Sequence, residues 1–227
     1  MEITVAGRGR SSLPPERATV RMTVGFEAPN PQTALARTTD LVRQLTDYLA
    51  GFAAMDPAPT TWSAVEPIRT RSWRPWSDKG NLPPMRYGAI SQVQVKFRDT
   101  AALAHFLDGW GGVEGVTVGN VNWTLTDATR VAQESAVLRE AVERARERAQ
   151  IIATAAGAGE VRLVEVADPG LLGGQRVAQA GGAPQSVASR AAMGGGAPGA
   201  GTPAGPIELS PEDVELHAVV HARFTAD

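Results

Sequence analysis

The stretch that decides the fold is an alanine-rich helix followed by a strand, residues 127–166, DATRVAQESAVLREAVERARERAQIIATAAGAGEVRLVEV. Its small or apolar positions recur in steps of three and four, which places them in one stripe along a helix. The stripe comprises Leu138, Ala141, Ala145, Ala149, Ile152 and Ala156. Because most of these side chains are alanine, we expect the helix backbone to lie very close to a sheet. Gly157 predicts the end of the helix, and Val161–Val166 predicts the strand that follows.

Alternating apolar residues predict further half-buried strands, and apolar residues at helical spacing predict two more helices. The strands are predicted at 3–5, 17–26, 87–98, 116–125 and 215–224, and the helices at 31–52 and 100–109. In the strand at 116–125 the apolar phase changes beside Gly119 and Asn120, which predicts a bulge or a bend. The strand at 215–224 has the same one-sided alternation as that at 17–26, so we expect these two to be able to pair.

Three other stretches predict irregular structure. Residues 7–15 are predicted as a turn-rich connection, and the proline-rich residues 53–86 as an irregular segment. Residues 168–206 are rich in glycine, alanine, proline and serine. Such a segment buries too little apolar surface to offset its ordering entropy, so a mobile loop is predicted there.

The order of these elements favours an α+β fold, with two small domains whose antiparallel sheets pack against helices. Helices do not alternate with every strand, and the strands have one apolar face, which disfavours a doubly wound parallel sheet. The first predicted domain is discontinuous and comprises residues 1–60 plus about 127–227, with the loop at 168–206 inside it. Residues 61–126 are predicted as a second, inserted α+β domain.

Composition limits the class of protein. The 227 residues are 43% hydrophobic and 20% charged, with a net charge of −2. That content permits a substantial core, and the charge argues against a dedicated nucleic-acid binder. The chain has 0 cysteines, so disulfides, thiolate metal sites and cysteine nucleophiles are excluded. We find neither a signal-peptide pattern nor an apolar run long enough for a membrane helix, so no membrane span and a cytoplasmic location are expected.

Five motifs in order resemble the SIMPL-domain family, a family of unknown function that includes a bacterial periplasmic immunogen and a mammalian kinase-associated signalling protein. They are the opening ITVAGRG of residues 3–9, PERATV of 15–20, YGAISQV of 87–93, the alanine-rich helix of 136–157, and Pro206-Ile207 leading to the final strand. The resemblance implies two small α+β domains and a tendency to form large homo-oligomers. It supplies no catalytic residues, and the Trp- and Arg-rich segment at 62–76 of this chain departs from the family pattern.

The residue patterns predict no catalytic, cofactor-binding or metal-binding site. His217 and His221 lie four residues apart on a predicted strand, about 13 Å along it, which is too far for two ligands of one ion. They are interpreted as solvated histidines on a sheet face. Gly7-Arg8-Gly9 lacks the third glycine and the following helix of a dinucleotide-binding loop. No Gly-x-Ser-x-Gly elbow supports acyl-transfer chemistry either.

One segment invites a binding hypothesis, because it combines indole rings with guanidinium groups. Its residues are Trp62, Arg69, Arg71, Trp73, Arg74 and Trp76. Such side chains stack on bases, sugars or a partner protein. The alternative is that the tryptophans cover one end of a small sheet while the arginines stay solvated. Net charge disfavours nucleic acid among the partners.

Two functions from different classes remain open at this point. The first is a non-enzymatic, self-associating scaffold or interaction protein of the SIMPL type, without cofactor and with a homo-oligomer as the expected state. The second is a small-ligand-binding module that uses the Trp/Arg segment 62–76. An enzyme ranks third, since no nucleophile–base pair is visible. Native mass separates the first two hypotheses.

Overall fold

The computed structural model describes residues 1–76, 82–172 and 209–227, which form three helices and eight strands in two antiparallel sheets. The elements are β1 Glu2–Leu13, β2 Arg17–Ala28, α1 Pro31–Ala53, β3 Thr60–Val65, β4 Arg69–Trp73, β5 Arg86–Phe97, α2 Thr100–Gly111, β6 Val116–Thr124, α3 Asp127–Ala155, β7 Val161–Ala167 and β8 Val214–Ala226. The predicted α+β class is confirmed. The predicted loop at 168–206 lies outside the described residues from position 173 onward.

The described residues group into two compact units. Unit 1 holds Met1–Leu13, the described part of Asp127–Pro203, and Glu215–Asp227; unit 2 holds Pro14–Thr126 and the described part of Ala204–Val214. This grouping differs from the division at residue 60 expected above, because β2 pairs with β5 over eleven positions and with β6 on its other side. Those ladders hold β2, and with it α1, in the same unit as residues 61–126.

The sheet of unit 1 has the order β1-β8-β7, so the C-terminal strand is its central strand. The Met1 ammonium donates to the Ala226 carbonyl at 2.6 Å, and the Ala226 amide donates to the Met1 carbonyl at 2.9 Å. The expected pairing of this strand with residues 17–26 is therefore wrong. One-sided alternation fits any sheet with one covered face, and it does not choose between partners.

Helix α3 packs on β1 and on the β8 side of the same core through a row of small residues. Ala141, Ala145 and Ala149 are fully buried as predicted, but the row continues at its ends with Val137 and Ala153. Leu138, Ile152 and Ala156, which the sequence placed in the stripe, are exposed. A step of four residues rises about 6 Å along a helix, close to the 6.6–6.8 Å that two residues rise along a strand. That match lets every fourth helix residue face every second residue of β1.

Strand β1 extends to Leu13, so the turn expected from Gly7 is wrong. Gly7 and Gly9 face the helix, where an added Cβ on Gly7 would overlap the carbonyl oxygen of Ala141 and lie 2.8 Å from the Ala145 Cβ. These glycines are needed for close approach of two backbones rather than for a turn.

The sheet of unit 2 has the order β3-β5-β2-β6, and β4 pairs with β5 beyond the end of β3. The expectation of irregular structure at 53–86 is wrong for these two short strands, whose exposed polar residues give no strand periodicity. The predicted bulge is confirmed, since the β2–β6 register shifts between Val20 and Met22, opposite Gly119 and Asn120. Helices α1 and α2 cover one face of the sheet around Leu45, Phe97 and Phe106.

Candidate functional site

A groove within unit 1 lies between the C-terminal half of α3 and β7, with a volume of about 1130 Å³. Its apolar lining includes Ile151 and Leu163, which are 69% and 42% exposed. Arg146, Glu147 and Arg162 contribute charges of both signs at its rim. The groove exists because the glycine–alanine contact draws α3 over β1, so that the helix barely reaches β7.

Strand β7 is an edge strand of its sheet, and its sequence VRLVEVA contains neither proline nor lysine. Val164 and Val166 are 56% and 45% exposed. Edge strands present unpaired backbone groups, which proteins normally block with proline, lysine or a covering element. In the described residues, neither a further strand nor the body of α3 covers this edge. The one sequence signal for this surface was Ile151, an apolar residue of α3 that lies outside the predicted alanine-rich stripe.

The register of β7 against β8 shifts between Leu163 and Glu165, so β7 has one extra residue there. The usual alternation of side chains between the two faces of the sheet is therefore interrupted at this point. Arg162 lies opposite Thr225 and Glu165 opposite Arg223, two positions apart on β8, so both side chains lie on the sheet face away from α3. Arg223 of the central strand reaches Glu2 at 3.1 Å and Glu165 at 3.9 Å. The outer face thus carries opposite charges three residues apart on the edge strand.

The Trp/Arg segment does not form a single cluster. Trp62 lies opposite Lys96, whereas Trp73 lies opposite Arg86, ten residues further along β5. Ten strand residues span about 33 Å, so one ligand of ordinary size cannot contact both indoles. Arg74 and Trp76 follow the end of β4, and the Trp76 side chain is 87% exposed. The structure brings Arg69, Arg71 and Trp73 together on β4 and leaves Trp62 apart.

Arg71 is the best-connected residue of this segment. Its guanidinium lies 4.5 Å from the ring centroid of Trp73, and it donates to Glu27 at 3.1 Å. Arg69 of the same strand pairs with Glu66. Two small cavities share Arg71 and Gly88, with volumes of about 180 and 220 Å³. Ligand sites for drug-sized molecules are usually ~300–1,000 Å³. The Arg71 region therefore has room for a small group only.

The histidines lie on β8, where His217 contacts Glu215 at 3.1 Å. Within the described part of the chain, His, Asp and Glu side chains nowhere gather in threes in a geometry that would hold a metal ion. Among residues 1–76, 82–172 and 209–227, no helix is both long enough and apolar enough to span a membrane.

The fold defines an α+β protein of two units, each an antiparallel sheet with helices on one face. Among the described residues, its distinguishing surface is the edge strand β7 beside an apolar groove. The family model of SIMPL, described as a protein of unknown function (DUF541), matches residues 3–224, and the chain belongs to this family. No curated protein matches the chain in sequence.

Proposed function

We propose that this protein is a non-enzymatic, self-associating interaction protein. The observation that carries the proposal is the apolar groove between α3 and β7, with Ile151 and Leu163 exposed beside a sheet edge that no other described strand pairs with. A contiguous apolar surface of this kind, rimmed by charges, is typical of protein–protein contact sites. Closed symmetric homo-oligomers are the commonest assemblies that cover such surfaces. The family resemblance noted from the sequence points in the same direction.

The non-enzymatic part of the proposal rests on the sequence, which offers no nucleophile–base pair and no catalytic motif. The cytoplasmic location expected from the sequence stays a prediction.

Light scattering coupled to size-exclusion chromatography tests the proposal on the full chain. The expected result at micromolar concentration is a mass of at least twice the 23.8 kDa of one chain, falling on dilution. A mass of one chain over the whole concentration series would contradict self-association.

A second function is favoured by the stacked pair of Arg71 and Trp73 beside two small cavities. A guanidinium on an indole face binds small anions by charge and by stacking. Thermal melting with inorganic phosphate, citrate or benzoate tests this second function. An anion that raises the melting temperature of the wild type but not of Arg71→Ala would support it. The absence of any shift with all three would count against it.

A further inference from the structure

We propose that two copies of this chain pair through their β7 edges, antiparallel, about a two-fold axis between Leu163 and Val164. The inference rests on the proposed self-association and names its surface. In this arrangement the two three-stranded sheets become one six-stranded sheet with both α3 helices on the same face. No described strand pairs with the outer side of β7, and in this arrangement the two edge strands form backbone hydrogen bonds with each other.

In this register the charged side chains of β7 form pairs of opposite charge between the two copies. Arg162 of one copy lies opposite Glu165 of the second, and the symmetry produces the same pair again. Opposite residues of an antiparallel pair must lie on the same face, and the bulge between Leu163 and Glu165 places both charges on the face away from α3. Without the bulge, residues three apart would lie on opposite faces. The bulge therefore makes the edge self-complementary.

The apolar residues match in the same register. Val161 of one copy lies opposite Val166 of the second, and both positions are on the α3 side, since they pair with Ala226 and Ala222 of β8. Leu163 and Val164 meet their counterparts at the axis. Exposed Ile151 and Leu163 of the groove then gain apolar neighbours from the second copy.

A second copy fits this edge better than a strongly charged partner. The groove rim carries Arg146 and Arg162 together with Glu147 and Glu160, so it selects neither a basic nor an acidic surface. The net charge of −2 gives two copies little mutual repulsion. An isologous two-fold contact needs one surface that complements itself, which is what the β7 register provides.

Cysteine cross-linking tests the axis directly, because the chain contains 0 cysteines and an introduced thiol is the only one present. Val164→Cys places two thiols beside the axis, and we expect a cross-linked dimer under mild oxidation on a non-reducing gel. Thr4→Cys on β1, at the opposite edge of the same sheet, is the matched control and should stay monomeric on that gel.

A charge exchange tests the register. Arg162→Glu places glutamates opposite each other, and Glu165→Arg places arginines opposite each other. Each variant alone should raise the dissociation constant by about tenfold or more, since two like-charge pairs form per dimer. Mixing the two variants restores both pairs and should restore dimers. Arg8→Glu on β1 is the matched control and should leave the dissociation constant unchanged.

The outcomes separate this inference from the proposed function. A wild type that self-associates, with no cross-link at Val164→Cys and an unchanged mass for Arg162→Glu, overturns β7 pairing and leaves self-association standing. A wild type that stays at 23.8 kDa overturns both. Glu165→Arg places a cation near Arg223, so circular dichroism first establishes that it folds. If it does not fold, the cross-link and Arg162→Glu decide the matter by themselves.

Discussion

Gly7 of β1 lies against Ala141 of α3 so closely that the glycine has no room for a Cβ beside the alanine carbonyl oxygen. This contact fixes the distance between helix and strand in unit 1. Gly9 makes a second contact of the same kind with Val137, so α3 lies close to β1 along several turns. The helix has far less contact with β7, where the groove lies.

The Gly7–Ala141 contact predicts that Gly7→Ala destabilises unit 1. The added methyl group forces the backbones apart, and overpacking of this kind costs about 2 kcal/mol or more in free energy of unfolding. Urea unfolding followed by circular dichroism measures the change. Gly51→Ala is the control, because an added Cβ there meets nothing within 4 Å, and it should stabilise α1 by about 0.5–1 kcal/mol. Equal stabilities for the two variants would contradict the packing described.

The buried alanine row predicts that a charge at Ala145 is not tolerated. Ala145→Glu places a carboxylate between helix and sheet without a partner, at a cost of roughly 3–5 kcal/mol. Thermal melting should show an early loss of helical signal. Ala136→Glu lies on the exposed part of the same helix and should melt within a few degrees of the wild type. A normal melt for Ala145→Glu would rule out this helix–sheet interface.

Thr38 joins α1 to the sheet of unit 2 by two hydrogen bonds. Its buried hydroxyl donates to the Ala89 carbonyl at 3.0 Å and accepts from the Phe26 amide at 3.2 Å. Thr38→Val keeps the shape but leaves both groups unsatisfied, so we expect a loss of about 1–3 kcal/mol in urea unfolding. Thr39→Val removes an exposed bond within the helix and should change stability by less than ~0.5 kcal/mol.

Charge reversal at Arg71 and Arg74 separates binding from folding. Arg71 is largely exposed and Arg74 is exposed, and exposed ion pairs contribute less than about 1 kcal/mol. We expect Arg71→Glu with Arg74→Glu to weaken a partner or ligand contact at this site while the melting temperature stays nearly constant. Calorimetric titration against whichever anion shifts the wild-type melt measures the first effect. A large drop in melting temperature would assign these arginines a structural role instead.

The sequence predicted the longer elements because their patterns are local. Period-two alternation located β2, β5 and β8, and helical spacing located α1, α2 and the centre of α3. Even the bulge at Gly119 and Asn120 was visible as a change of phase. Strands β3 and β4 were missed, since each is a short, exposed edge strand whose existence depends on pairing with β5.

The sequence also predicted the interaction segment only in part. Six Trp and Arg residues are close in the chain, but Trp62 and Trp73 pair with opposite ends of a twelve-residue strand. Residues that are close in the chain lie far apart here, because β3 and β4 pair with different ends of the same long strand, β5. No local sequence pattern predicts the groove beside β7. Residues of α3 and β7 line it, and the position of α3 depends on its packing against β1, a strand at the N-terminal end of the chain.

By itself, the sequence determined the α+β class, the positions of the regular elements and membership in the family, because propensity, periodicity and turn residues act within a few positions. Only the tertiary structure decided that β8 pairs with β1 and β7 rather than with β2, that Gly7 and Gly9 are packing residues, and that β7 is an edge strand among the described residues. The pairing of β1 with β8 and the contact of Gly7 with Ala141 each join residues more than a hundred positions apart. A one-sided strand pattern is satisfied by any sheet that offers a covered face, so the choice among sheets belongs to the packing of the whole chain.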